Sequence, residues 1–173
     1  MSYIIAGLGN PDPEYTGTRH SLGRAVVQQL ARSSGLGTKN KLVTPDNYMN
    51  NSGVALKLLV KNAKQAERLV AVYDDLDLPV GALKISFNKS SGGHKGLESV
   101  IKQLKTKKFI RVRIGISPKN KPADVVAYLM AKPKPAEQVI LQKVIKHAQE
   151  AIEMIVAEGW PKAASIHTSL QTK

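Results

Sequence analysis

The 173-residue sequence contains no cysteine. That absence excludes disulfides, thiolate metal sites and a cysteine nucleophile together, and it fits a reducing compartment. No apolar run approaches the roughly 20 residues a membrane-spanning helix needs. The opening MSYIIAGLGN also lacks a basic segment followed by an apolar stretch of signal length. The expectation is a soluble protein with no membrane partner and no export signal. Acidic residues are scarce: 13 Asp and Glu face 26 Lys and Arg, a formal net charge of +13. Such an excess favours a polyanionic partner, because each cation set against a phosphate releases condensed counterions. A lysine-rich surface without a partner would give the same count, so charge favours nucleic acid without deciding for it.

Several catalytic signatures are missing too. Gly7-Leu8-Gly9 follows an apolar run, but Asp12 stands where the dinucleotide fingerprint needs its third glycine. There is no GxxxxGK[ST] phosphate loop and no HExxH. His20, His94, His147 and His167 lack the close spacing of metal ligands, so neither metal nor cofactor is expected.

What is there is an alternation of strand-like and helix-like segments. Tyr3–Leu8 and Leu69–Tyr73 are continuous apolar runs, which suit strands buried on both faces. The first stops at Gly9-Asn10-Pro11; the second ends in the acidic turn Asp74–Pro79. Leu22, Val26 and Leu30 mark a helix over Ser21–Ser33 closed by Gly35, and a short strand is expected at Lys41–Thr44. Ser52 should cap a helix whose apolar face is Val54, Ala55, Leu58 and Leu59. Leu83, Ile85 and Phe87 alternate with polar residues, and Ile110, Val112, Ile114 and Ile116 alternate with Arg111 and Arg113. The first reads as a strand with one wet face and the second as a strand with one polar face. Helices are expected at Leu97–Leu104, at Ala123–Ala131, and from Pro135 to Gly159 with an apolar stripe from Leu141 to Ile155. The pattern predicts a single α/β domain over residues 1–173 around a mainly parallel sheet. At this length such a domain buries about two thirds of its unfolded surface and needs no staples.

In such sheets ligands bind beyond the carboxyl ends of the strands. Asn10 and Asp74 stand at two such ends, His20 stands just before a helix, and Tyr48-Met49-Asn50 precede another. Asn10, His20, Asn50 and Asp74 are therefore expected to meet in one crevice. Each also has a plainer reading: Asn10 as a turn residue before Pro11, Asp74 as a loop brace, His20 as a helix-start hydrogen bonder. A His–carboxylate pair without a serine or cysteine partner points to water as nucleophile and His20 as general base. The carboxylate would hold one tautomer and favour the imidazolium that forms. An ester suits this chemistry, since its leaving alkoxide needs no metal, and Asn10 or Asn50 could donate to the oxyanion or hold the water. Gly92-Gly93-His94-Lys95-Gly96 reads equally as an anion-binding nest or a flexible turn.

The segments GLGNPDPEYTGTRHSLG, YMNNSG, DDLDLP and GGHKGL, in that order, resemble the bacterial-type peptidyl-tRNA hydrolases over about Ile4 to Gly159. The resemblance implies an α/β sandwich with a mixed, mostly parallel sheet flanked by helices. It implies that His20 is the catalytic base, Asp74 its supporting carboxylate, and Asn10 the residue that helps tell a blocked N-terminus from the free amine of an aminoacyl-tRNA. Tyr15, Tyr48, Met49 and Asn50 match positions that contact the substrate end, and His94 and Lys95 lie in the substrate-lining GGHKG segment. The partner implied is peptidyl-tRNA, bound at its acceptor stem and 3′ end. Lys84, Lys102, Lys105 and Arg113 would track the stem phosphates, with strand alternation pointing Lys84 and Arg113 away from the core. A cofactor-free monomer, cytoplasmic or housed in an organelle, completes the expectation.

The chain departs from the family pattern at three places. Lys95 replaces an asparagine, Ser21 replaces the asparagine after the histidine, and Ser33–Thr44 is shorter than a stretch that supplies an edge strand pair. Two competing readings follow: a family member that binds RNA with little or no hydrolysis, and a basic domain that binds RNA nonspecifically.

Overall fold

The computed structural model describes residues 2–11, 13–33, 36 and 38–169. Asp12 and Gly35, used above as a fingerprint break and a helix stop, lie outside the described residues.

Five strands form one sheet: β1 (Ile4–Gly7), β2 (Lys41–Val43), β3 (Leu69–Pro79), β4 (Leu83–Phe87) and β5 (Ile110–Ser117). Their order is β2-β1-β3-β5-β4, and every pairing is parallel except β4 with β5. The helices are α1 (Leu22–Ser33), α2 (Ser52–Leu59), α3 (Ala63–Ala66), α4 (Lys95–Leu104), α5 (Val125–Met130), α6 (Pro135–Glu158) and α7 (Trp160–His167). Single 3₁₀ turns sit at Pro13–Tyr15, Arg19–Ser21 and Met49–Asn51. The mixed, mostly parallel sheet expected from the sequence is present.

Burial follows strand alternation. Val70 and Val72 of β3 enter a core with Leu22, Val26 and Leu30 of α1 and Leu141, Val144, Ile145, Ala148, Ile152 and Ile155 of α6. Leu69, Ala71 and Tyr73 of the same strand enter a second, smaller core with Leu56 of α2 and Leu97 and Val100 of α4. Covered on both faces, β3 must read as a continuous apolar run. Helix α6 starts with Pro135 at its first turn and stops at Gly159, as its sequence signals.

The structure corrects three local readings and refines a fourth. Strand β3 does not stop at Tyr73: Asp74 and Asp75 keep their register opposite Ile114 and Gly115, and the ladder shifts only between Asp75 and Pro79. Ser52 is not a cap; it is the first residue of α2 and its hydroxyl donates to the Met49 carbonyl at 2.8 Å. The inward face of α2 is Ser52, Gly53 and Leu56, whereas Leu58 is 68% exposed and Val54 is exposed as well. Small residues face inward because α2 lies close against α4, where the Gly53 N–H meets the Ser99 hydroxyl at 3.0 Å. Finally, the polar face of β5, present as read, is covered rather than wet. Arg111 is fully buried, with its guanidinium donating to the carbonyls of Lys89, Lys107 and Phe109 and lying 4.0 Å from the Phe109 ring. Helix α7, which no sequence signal announced, stacks Trp160 on Phe87 of β4 with ring centres 5.4 Å apart.

One close approach places the first helix for the site. A side chain at Gly7 would lie 2.2 Å from the Gly23 carbonyl oxygen, and one at Gly23 would lie 2.1 Å from that of Val72. Only glycine at both positions lets α1 start hard against the ends of β1 and β3. The residues just before α1 therefore overhang the carboxyl end of the sheet.

Candidate active site

His20 belongs to the 3₁₀ turn that leads into α1, and Asp74 follows Tyr73 in β3. They meet: His20 Nδ1 lies 2.8 Å from Asp74 Oδ2, and both side chains are buried. The other oxygen, Asp74 Oδ1, faces His94 Nε2 at 3.4 Å. His94 caps α4, its Nδ1 accepting the Leu97 backbone N–H at 3.3 Å. Accepting there requires a bare Nδ1, so the neutral ring carries its proton on Nε2 and donates it to Asp74. Asp74 is thus approached by two N–H donors, which leaves His20 Nε2 as the lone-pair nitrogen.

The electrostatics agree. Burial alone would raise the Asp74 pKa, but His20 and His94 outweigh it and hold the carboxyl far below the ordinary range. Burial likewise pulls His20 down, and the charge and hydrogen bond of Asp74 reverse this, leaving its pKa above 6.5. The ionised carboxylate therefore favours the protonated imidazole.

His20 and Asp74 open into a cleft of about 320 Å³. Its remaining wall includes Asp75, Asp77, the segment from Lys89 to Lys95, Arg113, and Val125 and Leu129 of α5. Gly92 and Gly93 turn the loop with φ of +60° and +82°, conformations that suit glycine, and the loop delivers His94 to the start of α4. The GGHKG segment thus presents a histidine-capped helix start.

The other sequence-picked residues divide into two groups. Asn10 is buried beside the pair's turn; its Oδ1 accepts the Met49 N–H at 2.8 Å, and its Nδ2 approaches Met130 Sδ at 3.9 Å. Met49 is itself buried in the smaller core, while Tyr48 and Asn50 on either side are exposed. Tyr15 sits one turn before Arg19, its carbonyl accepting from the Thr18 hydroxyl at 2.8 Å. None of these five lines the cleft beside His20, so the crevice expected to gather Asn10, His20, Asn50 and Asp74 is lined by His20 and Asp74 without the two asparagines. Lys95 does line the cleft, 70% exposed, with its ammonium 3.1 Å from Glu98.

The phosphate-contact candidates are also separated. Lys84 and Arg113 are register partners on β4 and β5. Lys84 is exposed, but Arg113 is half-buried and its Nε is tied to Asp75 Oδ2 at 2.6 Å, so alternation alone overstated its freedom. Lys102 and Lys105 are exposed at the far end of α4, roughly 12–17 Å along its axis from His94.

Spacing along the chain concealed one cluster: donor atoms of His20, Asp74 and His94 lie within 4.8 Å of one another. Two imidazoles and a carboxylate suit a transition metal. A cation on His94 Nε2, however, would displace its proton to Nδ1, where the Leu97 N–H already points. The donor pattern is that of a hydrogen-bonded triad.

A family profile described as peptidyl-tRNA hydrolase matches residues 4–173. The chain belongs to the peptidyl-tRNA hydrolase family. Among its relatives, the peptidyl-tRNA hydrolase of Thermodesulfovibrio yellowstonii is 40% identical over 96% of this chain and 99% of that one. That of Carboxydothermus hydrogenoformans is 41% identical over 93% and 95%. The crystal structure of peptidyl-tRNA hydrolase from Acinetobacter baumannii superposes with a TM-score of 0.85 at 28% identity, covering 96% of this chain and 94% of the other. In this peptidyl-tRNA hydrolase family member the His–Asp pair is complete, and the departure at Lys95 lies at the cleft mouth.

Proposed function

We propose that this chain hydrolyses the ester joining a peptide to the terminal adenosine of tRNA, releasing free tRNA and peptide. What carries the reading is the 2.8 Å contact between His20 Nδ1 and Asp74 Oδ2 at the wall of a cleft, in a chain of this family. His20 Nε2 takes a proton from water as the water oxygen bonds to the ester carbonyl carbon. The resulting oxyanion collapses, the bond to the ribose oxygen breaks, and the imidazolium returns its proton to that oxygen. Asp74 keeps the imidazole in the required tautomer and stabilises the imidazolium between the two steps.

Asn10 has a definable part. Its amide oxygen is held by the Met49 N–H, and its NH₂ group, one hydrogen of which points to Met130 Sδ, is its donor end. An NH₂ donor can bind the carbonyl of a blocked N-terminus but not a free ammonium, which offers only donors. Tyr15, Tyr48, Met49, Asn50, His94 and Lys95 would hold the 3′ end, and Lys84, Lys102, Lys105 and Arg113 the acceptor stem. The enzyme would act as a single-domain monomer in the cytoplasm, with no metal or cofactor.

Incubation with N-acetyl-aminoacyl-tRNA and with free aminoacyl-tRNA tests this. Wild type should cleave the blocked ester rapidly, and His20→Ala should lose at least about 10²-fold in rate while still binding tRNA. Equal rates for the two proteins would remove His20 from the mechanism. The binding-only reading predicts no cleavage by either. The intact pair, and the tie of Lys95 to Glu98 away from it, favour the hydrolase.

A further inference from the structure

Helix α5 supplies the apolar wall of the cleft through Val125 and Leu129, yet none of its six residues is buried. Only Tyr128 and Leu129 reach the larger core. A wall so thinly packed must be held by specific bonds, and most of them come from one residue. Arg19, 5% exposed and adjacent to His20 in the chain, donates through Nη1 to the carbonyls of Tyr128 at 3.1 Å and Ala131 at 3.2 Å. Its backbone N–H adds a bond to the Ala131 carbonyl at 3.3 Å, and its guanidinium lies 4.0 Å from the Tyr128 ring. Nε and Nη2 grip both oxygens of Glu137, in the first turn of α6, at 2.7 and 2.6 Å. A cation at a helix C-terminus is favourable, and the planar fork lets one residue satisfy a carboxylate and two carbonyls together.

We infer that Arg19 is a positioning residue that fixes α5, and so the apolar wall of the cleft, relative to His20. The turn that carries the base and the wall that faces it are thereby one mechanical unit. A second tie, Asn10 Nδ2 to Met130 Sδ, ends on the same helix. The two ties leave α5 anchored at its C-terminal end and through the Tyr128 hydroxyl, which donates to the Ile116 carbonyl at 2.7 Å.

The test uses the full chain and three variants. Glu137→Gln keeps shape but removes the charge from the fork, Arg19→Lys keeps charge but loses the fork, and Arg19→Met removes both. Hydrogen exchange, read without substrate, should quicken at 125–131 by about 10-fold in Glu137→Gln while β3 and β5 amides stay unchanged. With N-acetyl-aminoacyl-tRNA, KM should rise about 3–10-fold with kcat within about twofold and the acid limb of the pH profile unmoved. Arg19→Lys should fall between Glu137→Gln and Arg19→Met. The KM effect rests on the hydrolytic reading above; the exchange effect does not, so the two can fail separately. A lowered melting temperature with unchanged exchange at 125–131 and unchanged KM would overturn the inference, as would full wild-type behaviour of Arg19→Lys. Should Arg19→Met fail to fold, Glu137→Gln alone decides.

Discussion

On β5, Ile110, Val112, Ile114 and Ile116 enter the larger core under α1 and α6, while Arg111 and Arg113 alternate with them on the side of α4 and the cleft. One strand thus has an apolar face and a face carrying one buried and one half-buried cation. Each large aliphatic residue withdrawn from water stabilises by about 1.5–3 kcal/mol. Arg111 gives no such return: burial pushes its pKa down to about 10, and among the described residues no carboxylate pairs with it. It gathers carbonyls from Lys89, Lys107 and Phe109 instead. Lys89 begins the segment that turns toward His94. The difference teaches that the larger core holds the molecule together, while the opposite face spends polar groups on positioning.

That contrast breaks most sharply at Asp74. Asp74→Asn should lower kcat by about 10²–10⁴-fold, with some fall in melting temperature because the ionised carboxylate stabilises the fold at neutral pH. A large thermal loss with the rate retained would place Asp74 among structural residues. On the opposite face, Ile114→Ala should cost about 2–5 kcal/mol in chemical denaturation while the folded enzyme keeps its kcat. A fall in kcat there would show the faces to be coupled.

Proton linkage sharpens the comparison. As the proposed base, His20 must be neutral, and Asp74 holds its pKa above 6.5; kcat/KM should therefore rise with pH through a midpoint above that value. In Asp74→Asn the raising influence is gone and burial remains, so the midpoint should move below 6.5. The stability of the pair follows the same signs. The His20 share holds below pH 6.5 and is lost as pH rises through its raised pKa; the Asp74 share holds above the ordinary carboxylate value of 3.8 and is lost as pH falls. The smallest effect is expected at the rim. Lys95→Asn should change kcat by less than about threefold and stability by under about 1 kcal/mol, since its partner Glu98 is exposed with it. A tenfold gain in kcat would show that Lys95 restrains the site.

Legibility differed by element for physical reasons. β3 and α6 were readable because complete burial writes continuous apolar runs or a long stripe into the chain. The face of α2 was not, because its packing on α4 uses Ser52 and Gly53, which carry no hydrophobic signal. The burial of Arg111 was hidden because alternation reports which side a residue faces, not what covers that side. α7 was missed because Trp160-Pro161 follows Gly159 closely enough to read as a tail. Asn10 and His20 could be picked by their places after a strand and before a helix, and Asp74 because the apolar run of β3 stops before it although the strand runs on. The attachment of His94 to Asp74, and the grip of Arg19 on α5 and Glu137, join residues up to 118 positions apart.

The amino-acid order by itself determined the strand and helix alternation and the residue types for acid–base chemistry. These are local properties, set by periodicity, backbone freedom and side-chain pKa. Only the folded chain decided which nitrogen of His20 is free, that Asp74 serves two imidazoles, and what holds the wall of the cleft. Hydrogen bonds depend on ångström-scale approach between distant segments, and no spacing along a chain encodes that approach.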